Sequence, residues 1–359
     1  MKIVVACGGT GGHSFPGIAV AKELQARGHE VVVWASGRDI EQSVLKSWDG
    51  PVFSTRARQL RLKYLFAIFA SYLRCVQELR RFRPAVMLAM GSYSSLPPVM
   101  AARHYHIPVV LHEANTIPGK AVEFLSRYAK VVAISFAVTA RHLPRAKTVL
   151  TGLPVRKEIS RGERFPFIPA GSFTVFVTGG SQGAHAVNEL ASAALCMADK
   201  ELKARGSDSR PLYVIHQTGV ADEPEVIARY AAAGLPSRVH AFEREMPNAF
   251  ASADLVIARA GASTCFEVAA CGKPAFFIPL PSAMRNHQHF NADAFVAHGA
   301  ADEGQQSQLN ARGLSRYILR MYEDGEKLAR MRERMLELSH PDADRQVADL
   351  VIANAIVRP

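Results

Sequence analysis

Val4-Val5-Ala6-Cys7-Gly8-Gly9-Thr10-Gly11-Gly12-His13 decides the reading of this chain. An apolar run breaks into a glycine-rich loop, and a helix-compatible stretch follows from about residue 16 to residue 28. The same order returns 171 residues later, at Val175-Phe176-Val177-Thr178-Gly179-Gly180-Ser181-Gln182-Gly183-Ala184. In each copy a strand feeds Gly-Gly-[Ser/Thr]-x-Gly and then a helix. A glycine loop that opens a helix aims backbone N–H groups at the positive end of the helix dipole, which suits an anion. The competing reading is a tight strand–helix turn and nothing more. Two copies at half-chain spacing predict two similar Rossmann-type domains.

Working outward, residues 30–35, 86–90, 109–112 and 130–134 read as short strands around the first copy. Residues 212–217, 255–258 and 275–278 do the same around the second. These runs are continuously apolar rather than alternating, and helical stretches separate them. That pattern means parallel sheets covered on both faces, an α/β doubly wound architecture. The domain boundary is expected within residues 152–171, where prolines and glycines break the periodicity. A last helix-like stretch covers residues 345–356.

The chain has 359 residues and a formal net charge of +11. Residues 1–155 hold 20 Lys/Arg against 8 Asp/Glu, and residues 156–359 hold 23 against 24. An anionic partner is therefore expected of the first half. Between residues 56 and 83, Arg56, Arg58, Arg61, Lys63, Arg74, Arg80, Arg81 and Arg83 stand against one acid, Glu78. Within them lies Leu65-Phe66-Ala67-Ile68-Phe69-Ala70-Ser71-Tyr72-Leu73. An apolar helix face ringed by Arg and Lys fits an interfacial membrane anchor. A core helix with a solvated basic face fits as well. Nucleic acid is disfavoured, since no nucleic-acid motif accompanies the patch. The apolar run is far short of the ~20 residues that span a bilayer. The first apolar run is too short for a secretory signal. Five cysteines without a CxxC pair fit reduced thiols in a cytoplasm.

No Gly-Lys-[Ser/Thr] follows either loop, so the Walker pattern is absent. The dinucleotide fingerprint meets Ser14 at its third glycine, which weakens NAD binding. His13 closes the first loop at the expected carboxyl edge of the first strand, where ligands of open α/β sheets bind. His112-Glu113-Ala114-Asn115 follows a strand in the same way, offering acid–base groups and an amide suited to a sugar hydroxyl. The alternative for it is a polar turn. In the second half, Arg259-Ala260-Gly261-Ala262-Ser263-Thr264 leads to Glu267. Ser263 or Thr264 could cap a helix there, with N–H groups toward a diphosphate and Glu267 toward ribose; an ordinary capping arrangement is the bland reading. Gln288 lies in a polar turn and could read sugar hydroxyls. No metal is expected. His104-x-His106 and His287-x-His289 lack ligand neighbours, and Asp342-Ala343-Asp344 reads as a helix cap.

Taken together, Gly8-Gly9-Thr10-Gly11-Gly12-His13, Gly91-Ser92-Tyr93-Ser94-Ser95, His112-Glu113-Ala114-Asn115, Gly152-Leu153-Pro154-Val155-Arg156, Gly179-Gly180-Ser181-Gln182-Gly183-Ala184 and Gly261-Ala262-Ser263-Thr264 come in one order. In that order they resemble the MurG family of peptidoglycan N-acetylglucosaminyltransferases, glycosyltransferase family 28, over essentially the whole chain. The resemblance implies the GT-B fold: two Rossmann-like domains separated by a cleft. Residues 1–155 would take acceptor and membrane, residues 156–340 would take UDP-GlcNAc, and residues 341–359 would return to the first domain. It implies transfer of N-acetylglucosamine to lipid I, giving lipid II, at the cytoplasmic face of the inner membrane, with no cofactor. His13 and Glu113 would be the catalytic candidates. Thr10, Gly11, Gly12, Tyr93, Asn115, Arg156, Ser181, Gln182, Glu243, Ala262, Ser263, Thr264, Glu267 and Gln288 would contact substrate. The expected mechanism is inverting and metal-independent. The chain departs from the family pattern at Ser92, Ala114, Glu243, Ala260 and His287; Glu243 stands where an apolar residue beside the uracil is usual.

Overall fold

The computed structural model describes residues 1–9, 11–38, 41, 44–57, 64–206 and 210–356. Thr10, Arg58, Arg61 and Lys63 lie outside the described residues. The chain forms two compact units, residues 1–156 with 340–359, and residues 157–339. Arg156, expected at the start of the second domain, is the last residue of the first unit's main segment.

The first unit is built on a seven-stranded parallel sheet: β1 (Lys2–Ala6), β2 (Glu30–Ala35), β3 (Val52–Ser54), β4 (Val86–Ala89), β5 (Val109–Glu113), β6 (Val131–Ile134) and β7 (Thr148–Leu150). Their order is β3-β2-β1-β4-β5-β6-β7. Successive side chains of a strand point to opposite faces. Ile3 and Val5 therefore join one core layer, and Val4 and Ala6 join the other. Both layers are closed by helices, which is why the strands are apolar throughout. On the first face, α1 (Gly11–Ala26) contributes Ile18 and Leu24. The last helix, Ala343–Ala353, adds Val347, Ala348 and Val351 to that layer.

The second unit repeats the plan with β8 (Phe173–Thr178), β9 (Leu212–Gln217), β10 (Ser237–His240), β11 (Leu255–Ala258), β12 (Ala275–Phe277) and β13 (Ala301–Glu303). The order is β10-β9-β8-β11-β12-β13, again all parallel. Phe173, Val175 and Val177 pack on Val187, Ala191, Leu195 and Ala198 of the helix His185–Ala204. Drawn at the structural boundary, the charge asymmetry stands. The first unit holds 23 Lys/Arg against 11 Asp/Glu, the second 20 against 21.

Four strands escaped sequence reading: β3, β7, β10 and β13. All sit at sheet edges, span three or four residues and are partly exposed, so no apolar run marks them. Helix α1 starts five residues before the expected Pro16 and carries that proline in its interior. His13 consequently stands in the first turn of the helix rather than in the loop. β5 runs through His112 to Glu113, so both residues belong to the buried strand end and not to a polar turn.

The basic, apolar stretch forms one helix, Leu65–Phe82. Its two competing readings describe two halves of it. Cys75, Leu79 and Phe82 are buried in the core, whereas Phe66 is 91% and Phe69 59% exposed. Leu73 is exposed as well. Phe66, Phe69 and Leu73 share one face by their i, i+3, i+7 spacing. Among the described residues no helix is long and apolar enough to cross a membrane.

Candidate active site

In the first unit, the carboxyl ends of β1, β4 and β5 gather the candidate side chains. The imidazole Nδ1 of His13 lies 2.9 Å from the Met90 carbonyl oxygen. A carbonyl can only accept, so Nδ1 carries the hydrogen and Nε2 is the basic nitrogen. Ser94 and Ser95 donate their hydroxyls to the carbonyls of Gly8 and Gly91, which joins the first glycine loop to the turn that bears Tyr93. The Tyr93 hydroxyl accepts from Arg38 Nη1 at 3.2 Å.

Glu113 is 2% exposed, and its carboxylate is committed to its own loop. Oε1 accepts the Asn115 backbone N–H at 2.9 Å and the Asn115 amide at 3.1 Å, and Oε2 accepts the Gly119 N–H at 2.9 Å. Burial raises the Glu113 carboxyl above the ordinary range, and those bonds pull against the rise. Asn115 is thereby oriented by Glu113. His112 is fully buried beside them, with Nε2 3.3 Å from the Gly152 carbonyl oxygen. Burial pushes its pKa down to about 4, with the His13 ring adding to the fall, so it is neutral at pH 7. Arg156 lays its guanidinium over the Phe15 ring, 4.8 Å from the centroid.

In the second unit, Ser181 and Gln182 are exposed at the tip of the second glycine loop. Gly180 and Gly183 take φ of +91° and +75° there. A Cβ at Gly183 would stand 1.8 Å from the Thr218 carbonyl oxygen, so the loop closes on a neighbouring strand end that admits no side chain. The helix Ala262–Ala270 begins at the edge of β11. Its N-cap is Gly261, with no side-chain capping bond. This corrects the expectation that Ser263 or Thr264 caps the helix. They are its second and third residues, partly buried, and Glu267 lies beyond its first turn, so no capping box forms. With a glycine N-cap, the positive helix end faces the strand edge without a capping side chain.

Two expected contacts are otherwise engaged. The Glu243 carboxylate is buried and takes Arg238 at 2.9 Å (Nε) and 3.2 Å (Nη2), and the Glu245 N–H at 2.8 Å. Burial would raise its pKa, but Arg238 and that N–H outweigh burial and hold it below the ordinary value. Its charge is thus spent inside the protein. Gln288 Oε1 accepts the Leu280 N–H at 3.0 Å, which leaves its amide nitrogen the group suited to an outside acceptor. Just before it, Arg285 and Asn286 both adopt left-handed backbone (φ 54° and 55°), a strained turn of the kind found at binding sites.

The Asp342-Ala343-Asp344 pattern belongs to the first unit's last helix. Asp342 holds the N-cap position but makes no capping bond, and pairs instead with Arg345 at 3.2 Å. No group of three or more His, Cys, Asp or Glu side chains among the described residues could hold a metal ion.

With the edges so arranged, comparison with known proteins is direct. The model of the glycosyltransferase family 28 N-terminal domain matches residues 3–134, and that of its C-terminal domain matches residues 174–347. A UDP-N-acetylglucosamine--N-acetylmuramyl-(pentapeptide) pyrophosphoryl-undecaprenol N-acetylglucosamine transferase from Trichlorobacter lovleyi is 38% identical, over 98% of each chain. The chain belongs to glycosyltransferase family 28. The same transferase from Geobacter sulfurreducens is 36% identical over 99% of each chain. The crystal structure of Acinetobacter baumannii MurG superposes with a TM-score of 0.78 at 30% identity, covering 98% of this chain and 99% of the other. As a family 28 enzyme, the protein divides its candidate residues between its two units. His13, Tyr93, Glu113, Asn115 and Arg156 belong to the first; Ser181, Gln182, Glu243, residues 262–267 and Gln288 belong to the second.

Sequence reasoning missed the buried residues that hold the loops. Glu41 takes the Gly9 N–H at 2.5 Å and the Gly37 N–H at 2.8 Å. Arg259 Nη1 donates to the carbonyls of Ile278 and Pro279 at 3.0 and 3.1 Å. Gln217 joins three segments and is taken up below. Glu41 and Gln217 belong to no recognisable motif, and Arg259, though it stands at the head of the second-half motif, bonds carbonyls 19 and 20 residues away, which no local pattern announces.

Proposed function

We propose that this family 28 enzyme transfers N-acetylglucosamine from UDP-GlcNAc to the muramyl sugar of lipid I, with inversion and without a metal ion. The observation that carries the reading is near-full-length identity to transferases of that name, joined to six ordered motifs at the strand edges. A related GT-B glycosyltransferase acting on another lipid-linked or small acceptor would share the fold.

In this reading the second unit binds the donor. Ser181, Gln182 and the N-terminus of Ala262–Ala270 meet the diphosphate, Glu267 the ribose, and Gln288 the sugar. Arg156 adds a phosphate counter-charge. The first unit binds the acceptor, with Gly11, Gly12, Tyr93 and Asn115 lining it. Its muramyl hydroxyl attacks the anomeric carbon from the side opposite the diphosphate. His13 Nε2 takes the proton, and UDP departs as an anion. Glu113 serves as the positioning residue for Asn115, since its oxygens already hold three N–H groups. Helix dipole and arginine stabilise the leaving diphosphate electrostatically. Activity in EDTA checks the metal-free step: turnover is expected to stay within twofold of the untreated enzyme, and loss restored by a divalent cation would contradict it.

The exposed face of Leu65–Phe82, with its basic flanks, would rest on the anionic cytoplasmic leaflet as a peripheral contact. Each basic residue near such a surface contributes on the order of 1 kcal/mol. Replacing Phe66 and Phe69 by Asp is expected to lower binding to anionic vesicles at least tenfold in a sedimentation assay. The thermal midpoint should hold, because both rings are exposed. Unchanged vesicle binding would contradict the docking role.

A further inference from the structure

We infer that Gln217 is a positioning residue of the donor site, tying the second glycine loop to the turn at residues 241–245 so that both are aimed together. The inference deepens the donor reading above and rests on it.

Gln217 ends β9 and is 3% exposed. Its carboxamide uses both N–H groups and its oxygen. Nε2 donates to the Gly180 carbonyl at 2.8 Å and to Thr178 Oγ1 at 3.2 Å, and Oε1 accepts the Glu243 N–H at 3.0 Å. The Gly180 carbonyl also receives the Gly183 N–H at 3.0 Å, and Thr178 Oγ1 receives the Gly180 N–H at 3.1 Å. The glycine loop is thus held by Gln217 at the same two acceptors that its own N–H groups use.

Peptide geometry converts this grip into an outward arrangement. The peptides are planar and trans, so C=O and N–H point oppositely. With the Gly180 oxygen held inward, the Ser181 N–H of the same peptide points away from Gln217, at a residue that is exposed. With the Glu243 N–H held inward, the Phe242 carbonyl points away in the same manner, and Phe242 too is exposed. One carboxamide therefore orients a donor on one loop and an acceptor on the other. A nucleoside diphosphate presents the complement: phosphate oxygens and a base with an N–H edge. The far end of the turn is fixed independently. Arg238 clamps the Glu243 carboxylate and stacks on Phe165 and Phe167, 4.6 and 5.6 Å from their centroids.

The test compares full-length wild type with Gln217→Leu and Gln217→Glu. Calorimetric UDP binding, steady-state KM and kcat for both substrates, and amide hydrogen exchange with and without UDP are measured. In wild type, UDP is expected to protect amides of both loops. Gln217→Leu should raise the UDP dissociation constant and the UDP-GlcNAc KM at least tenfold, with kcat within threefold and the acceptor KM unchanged. Gln217→Glu keeps the acceptor for Glu243 but loses donation to Gly180, and should show a smaller rise of the same kind. It also serves as the readout if the leucine variant fails to fold. If UDP protects both loops in wild type and a folded variant binds UDP as tightly, the role of Gln217 is refuted and the donor reading survives. If both KM values worsen equally, Gln217 is merely structural. If UDP protects neither loop, the donor reading fails and this inference with it.

Discussion

His13→Ala is expected to lower kcat by about 10²–10⁴ while the UDP dissociation constant stays within twofold, the range for removing a positioned general base. The split follows from placement. His13 stands in the first turn of α1 with its Nδ1 held by Met90, in the unit proposed to take the acceptor. Its loss should leave the second unit intact. A stopped assay of UDP release at saturating donor and acceptor reads the first number, and calorimetry reads the second. Unchanged kcat would remove His13 as base. Among the described residues no strong second candidate stands at that edge, because Glu113 is spent on Asn115 and Gly119 and buried His112 is neutral down to about pH 4.

The second large effect is expected at a position with no reactive group. Gly183→Ala should destabilise the second unit by about 3 kcal/mol. Left-handed backbone at +75° costs a non-glycine residue roughly 1–2 kcal/mol, and a Cβ 1.8 Å from a main-chain oxygen forces the loop to move. For a unit of this size that is about 6–12 °C in its thermal midpoint. UDP affinity should fall together with it, since the loop must shift. Gly180→Ala is the control: its φ is also positive at +91°, but nothing lies within 4 Å of its Cβ position. It should show the backbone cost alone, about 1–2 kcal/mol. Equal shifts for both would mean that the close approach to Thr218 is not what fixes the loop.

These two residues mark how far the sequence could be read. Gly183 lies in the second glycine loop and His13 in the helix turn that the first one opens, and these repeated loops made the doubly wound class, the two domains and the strand edges legible. Central strands were legible too, because burial on both faces demands continuous apolar residues. Edge strands such as β3 and β13 carry no such demand and passed unseen. The site was legible as motifs and less so as bonding. Glu243 looked like a contact to the donor, but its partner Arg238 comes from the adjoining edge strand, where no motif points to it. Ser263 looked like a cap, but Gly261 already had the required backbone. The segment at residues 65–73 could not be divided between core and surface until Cys75 and Leu79 turned inward and Phe66 and Phe69 outward. Gln217, at the end of an apolar run, had no local signal whatever, since its three partners come from two other segments, residues 178–180 and residue 243.

The charge asymmetry gains a physical place. The excess falls on the unit proposed to meet a diphosphate-linked lipid at an anionic surface. The near-neutral unit handles its own proposed diphosphate with glycine loops and a helix end. That arrangement makes the product itself the most direct test. The enzyme is incubated with UDP-GlcNAc and a lipid I analogue in EDTA, and the product is isolated and its anomeric configuration read by NMR. A β-linked N-acetylglucosaminyl–muramyl disaccharide, formed with stoichiometric UDP, is the expected result. No transfer to the muramyl sugar, or an α-linked product, would contradict the account.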